Sequence, residues 1–178
     1  MTPVMNRRLL LAAAIAAPNL PGVALAQANR PITGTTPDAE GFVAAATELD
    51  QFAISTSHLL LQGSTHPQIR SFAQRMVQTH AAMMMERLSM PELMVLMSGG
   101  IEAEKRRRLV AMVPLRGNEL DRTYVQAQVD TLKEAEVFHR ITSIDGAVPA
   151  VRAYASRHLI AIRANLAEAQ AFQLPKVE

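Results

Sequence analysis

Apolar residues recur at steps of three and four through four segments of about 22 to 25 residues, each closed by a glycine or a proline. No alternation at steps of two competes with that pattern, so the chain reads as all-α. The first segment opens at Pro37-Asp38 and runs to about Gln62, with Phe42, Ala46, Leu49, Phe52, Ala53, Thr56, Leu59 and Leu60 on its apolar stripe. Asp38 and Glu40 suit the positive end of that helix. The second segment covers about 66 to 88, with Pro67 in its first turn. The third and fourth cover about 118 to 143 and 147 to 171, with Asp145-Gly146 as the turn between them. The stripe of the fourth is Val151, Tyr154, Ala155, His158, Ile162, Asn165, Ala169 and Phe172. Four such helices with short connections have the dimensions of an antiparallel four-helix bundle. One short extra helix, about 101 to 113 and closed by Pro114, is expected between the second and third. The loop region before it, marked by Pro91 and Ser98-Gly99-Gly100, holds a short apolar turn over Leu93 to Met97.

Residues 1–28 have the layout of a cleavable secretory signal. Arg7 and Arg8 precede an apolar run from Leu9 to Ala17, and small residues follow at Ala24-Leu25-Ala26 and Ala26-Gln27-Ala28. That run falls well short of the roughly 20 residues of a membrane anchor, and no later segment is long and apolar enough to span a bilayer. The expected organisation is therefore a signal at 1–28, a flexible lead at 29–38, a helical bundle at 39–172 and a tail at 173–178. The expected location is the periplasm, by general secretion or, through the paired arginines, by the twin-arginine route. With no cysteine in the sequence, such a domain is held by its core alone.

Signal removal also changes the electrostatics. The remaining chain carries 16 basic and 16 acidic residues, so the basic character of the precursor indicates no nucleic-acid partner. The one dense basic run, Lys105-Arg106-Arg107-Arg108, lies beside Glu102 and Glu104 and reads as a solvated helix face.

The second stripe carries the main chemical signal: Ile69, Phe72, Ala73, Met76, His80, Met83 and Met84 share one face. A histidine stands there in a core position. It is either a hydrogen-bonded core residue or part of a buried site. Seven methionines fall between Met76 and Met97, and thioethers with imidazole suit monovalent copper. His80, Met76, Met83, Met84 and His158 are thus the candidate metal ligands, for copper or zinc. Methionine is equally an adaptable core filler, and Met85, Met94 and Met97 leave the stripe. His80, His158 and Asn165 could also form a buried polar network, tolerable only if hydrogen-bonded throughout. His58 flanks the first stripe, and His66 beside Pro67 suits a loop or cap.

Other chemistries find less support. A di-iron carboxylate centre needs two Glu-x-x-His pairs and two further glutamates. Only Glu136-x-x-His139 matches, since Val77 and Ala155 stand three before His80 and His158, and the first helix offers Glu40 and Glu48. There is no nucleophile elbow and no phosphate-binding glycine loop.

Three motifs carry a family resemblance. They are Pro67-x-Ile69-x-x-Phe72-Ala73-Gln74-Arg75-Met76-Val77-x-x-His80, then Leu115-x-Gly117-x-x-Leu120-Asp121-Arg122-x-Tyr124-Val125-x-x-Gln128-Val129, and His158-Leu159. With them the chain resembles the domain-of-unknown-function 4142 family over about residues 39 to 172, which implies an exported protein of ferritin-like four-helix architecture without a settled activity. The family pattern has a histidine where this chain has Leu132, commonly an Asp at Thr79, and first-helix acids at Ala53 and Ser55. Of the shared polar positions, His80 and His158 remain.

The sequence therefore reads as an exported helical bundle of unknown function, with a non-catalytic envelope, stress-related or interaction role expected, no cofactor expected and no partner identified, a protein partner and a second copy being the candidates. The alternative is a periplasmic copper or zinc protein built on His80, and a di-iron oxidase ranks third.

Overall fold

The computed structural model describes residues 38–96 and 99–174. The expected signal, most of the lead, Met97 and the last four residues lie outside the described residues. Within them the chain forms six helices and no strand. Four are long: α1 (Ala39–Gly63), α2 (Pro67–Ser89), α5 (Gly117–Asp145) and α6 (Pro149–Ala171). Two are short, α3 (Pro91–Met94) and α4 (Ala103–Met112). The connection between the second and third long helices thus contains two helices where one was expected. The addition is α3, which Pro91 begins and which seats a single core residue, Leu93.

Local chemistry sets the ends of these helices. Asp38 caps α1, its carboxylate accepting the Gly41 N–H at 2.7 Å. Prolines occupy the first turn of α2, α3 and α6, where the missing N–H costs nothing. The connections Ser64–His66 and Gly146–Val148 are three residues each and turn the chain back on itself, so α1 packs on α2 and α5 packs on α6. Gly63 permits the close approach of α1 to α5, because a Cβ there would stand 2.7 Å from Leu120 Cδ2.

Burial follows the expected stripes. The α1 stripe is buried throughout apart from the half-buried Leu59, and the α2 stripe apart from Met84. On α6, Val151, Tyr154, Ala155, Ile162 and Ala169 are buried, while His158, Asn165 and Phe172 are half-buried. The core has two parts. A larger apolar cluster includes Leu60, Phe72, Met76, Leu120, Leu132 and Ile162. A smaller one joins Phe42, Val43 and Ala46 of α1 to Leu93 of α3 and to Val151, Tyr154 and Ala155 of α6.

The basic run on α4 is engaged by acids and carbonyls. Lys105 pairs with Glu134 at 3.1 Å, Arg108 with Asp130 at 2.8 Å and Arg107 with Glu104 at 2.8 Å, while Arg106 donates to the Ile101 carbonyl.

Candidate functional site

Asp50 follows the core residue Leu49 on α1, so its carboxylate enters the interior. On α2, His80 and Arg87 stand two turns apart on one face, as Met76 and Met83 do. Tyr154 comes from the first half of α6. None of these four residues is more than 4% exposed. The carboxylate is used at both ends: His80 Nδ1–H donates to Oδ1 at 2.6 Å, and an Arg87 N–H donates to Oδ2. A second Arg87 N–H donates to the Tyr154 hydroxyl, which in turn donates to the Met83 carbonyl at 3.2 Å. Burial alone would raise the Asp50 carboxyl; His80 and Arg87 outweigh it and hold the group below the usual carboxylate range. The result is an ionised network that ties α1, α2 and α6 together out of water.

Imidazole chemistry surrounds it. His80 bonds through Nδ1, leaving Nε2 without a hydrogen-bond partner inside the protein. His139 on α5 repeats the pattern, with Nδ1–H donating to the Ala135 carbonyl at 2.8 Å and Nε2 unpartnered. Its ring packs edge-on against Phe42 at 5.1 Å and lies 6.2 Å from Tyr154. Burial pushes His139 down to about 4, so its ring is neutral at pH 7. His158 lies against the Tyr154 ring at 4.4 Å, and its Nε2 meets Glu86 at 2.8 Å. Arg157 binds the same carboxylate at the surface. Residues from all four long helices thus meet around Tyr154.

A separate polar layer joins α1 to α5. Tyr124 donates to Ser57 Oγ at 2.9 Å, Ser57 donates to the Ala53 carbonyl, and Gln128 Nε2 donates to Thr56 Oγ1 at 2.7 Å. These contacts account for two of the motif residues, Tyr124 and Gln128, as interhelix ties.

The expected metal candidates divide. His80, Met76 and Met83 are buried, Met84 is half-buried, and Met76 and Met83 belong to the larger apolar cluster. His158 bonds to Glu86 and not to His80, and Asn165 stays outside the network, its amide nitrogen unpartnered. The expected His80–His158–Asn165 network is therefore replaced by one centred on Asp50. Glu136 and His139 diverge: Glu136 turns outward to Arg163 at 2.8 Å while His139 turns inward. Among the described residues, no group of three or more His, Asp or Glu side chains is placed to hold a metal ion. His58 is exposed, and His66 stands at the N-cap of α2 without a side-chain capping bond.

A family model described as Domain of unknown function (DUF4142) matches residues 24–172. The chain belongs to that family. No curated protein and no solved structure matches it. In this DUF4142 chain the position without the family histidine, Leu132, is wholly buried in the larger apolar cluster. Ala53 is core as well. The acid that α1 does bury is Asp50, one turn before Ala53, and sequence reasoning passed over it together with Arg87. Both carried a signal: Asp50 adjoins a stripe residue, and Arg87 continues the Met76–His80–Met83 stripe by one more step of four.

Proposed function

We propose that this DUF4142 chain is an exported, non-catalytic bundle, ferritin-like in its antiparallel four-helix organisation, whose buried ion network locks helices together in an envelope, stress-related or interaction role. One observation carries the reading: both Asp50 oxygens are occupied by groups of the chain, and neither the acid nor its partners His80 and Arg87 is open to a substrate. Three-residue connections and four long helices support the bundle organisation, and the pattern of residues 1–28 supports export to the periplasm. No helix of the described residues is long and apolar enough to cross a membrane.

The free Nε2 of His80 favours a second reading. A carboxylate holding Nδ1 and leaving Nε2 available is how ligating histidines are oriented. His80, with Met76, Met83, Met84 or His158 after rearrangement, would then bind copper or zinc.

One experiment separates the two readings. Protein purified without a histidine tag is titrated with monovalent copper and with zinc, alongside His80→Leu. The lock reading expects no saturable uptake by the natural chain and a lower unfolding midpoint for His80→Leu. Stoichiometric uptake that His80→Leu abolishes would replace it with the metal reading.

A further inference from the structure

We propose that the end of the molecule built on the smaller apolar cluster is an acid-released latch, opened by protonation of His139 while the larger cluster stays packed. The Nδ1–H of His139 is committed to the Ala135 carbonyl, so an added proton must reside on Nε2. That atom is buried with no acceptor. The ring is 3% exposed and is held between Phe42 and Tyr154, both members of the smaller cluster. A charged imidazole there is desolvated and unpaired, and it regains water only if Phe42 and Tyr154 move apart.

The charges around it offer little relief. Asp50 on α1 attracts the imidazolium but is already spanned by His80 and Arg87 of α2. Arg87 and His158 of α6 act against the added charge, and Tyr154 is engaged with Arg87 and the Met83 carbonyl. The depressed value of about 4 agrees with this geometry. Release would free α3 and the first turns of α1 and α6, exposing Phe42, Leu93 and Val151 beside Met94 and Val95, which are already 49% and 75% exposed. The surface made available in acid is thus apolar, suited to an unfolded or amphipathic polypeptide. An exported protein would meet external acidity directly. The inference does not depend on whether His80 acts as lock or ligand.

Hydrogen exchange read by mass spectrometry at pH 7 and 4.5, corrected for intrinsic rates, tests it. The expected result is an opening equilibrium for segments 39–46, 91–96 and 149–155 that rises by roughly 10²-fold at the lower pH, as follows from the shift between 6.5 and about 4. Segments 69–76 and 124–132 should stay protected. His139→Leu should abolish the difference. Should that variant not fold, NMR titration of the His139 ring in the natural chain must track the opening. Equal loss of protection in both sets of segments, an unchanged response in His139→Leu, or ring protonation without opening would each overturn the proposal.

Discussion

Removing the Arg87 guanidinium leaves the Asp50 carboxylate with His80 alone in an interior that admits almost no solvent. A buried charge that loses its ionic partner costs about 3–5 kcal/mol, whereas replacing both partners by apolar groups of similar volume is often neutral. Arg87→Met should therefore destabilise the chain by about 3–5 kcal/mol in urea unfolding, and Asp50→Leu in the same chain should recover most of that loss. Recovery is the informative part, because independent packing defects would add. A smaller effect is expected at the edge of the network. Tyr154→Phe removes the hydroxyl between Arg87 and the Met83 carbonyl and should cost roughly 1–3 kcal/mol by the same measurement. The histidine of this network was legible in sequence, because an imidazole on an apolar stripe is conspicuous. Asp50 and Arg87 were not. Charged residues are usually outside, and the pairing that makes these two tolerable spans 37 positions between different helices, which no local period encodes.

At the scale of elements, periodicity located the long helices to within about three residues, because each is long enough to repeat its stripe several times. It could not locate α3 as a helix, since four residues around one buried leucine have no period to read. Turn chemistry was the more reliable guide at the α5–α6 connection. Gly146 follows α5 there with φ −60° and ψ 130°, an ordinary extended conformation, so its backbone angles do not demand glycine. Space does. A Cβ would fall 2.7 Å from the Thr142 carbonyl oxygen and 3.1 Å from Arg152 Cγ. Gly146→Ala should thus shift the turn and cost about 1–3 kcal/mol of the kind associated with overpacking, read as a lower thermal midpoint. At the start of α1, Asp38→Ala removes the acceptor for the Gly41 N–H and should cost about 1 kcal/mol, with fraying confined to the first turn of α1 in hydrogen exchange.

For the whole molecule, the buried titratable groups fix how stability changes with pH. His139 sits at about 4 in the folded chain against 6.5 when unfolded. Between those values the unfolded chain binds the extra proton, so stability is complete above about 6.5, falls as pH drops to about 4, and levels off below. A shift of that size corresponds to a loss on the order of 3 kcal/mol. Asp50 and Glu86 are held below their ordinary 3.8 and 4.5, so what they contribute is present above those values and disappears as pH falls through their folded ones. Glu48 runs the other way. Burial raises it, so protonation in acid relieves the folded state and offsets part of the decline. Acid unfolding should therefore proceed in two stages, an imidazole stage from about 6.5 to 4 and a carboxylate stage below. Urea unfolding free energies at pH 7.5, 6, 5 and 4 resolve them: His139→Leu should flatten the first stage and leave the second intact. A first stage of undiminished slope in that variant would assign it to another group in the molecule.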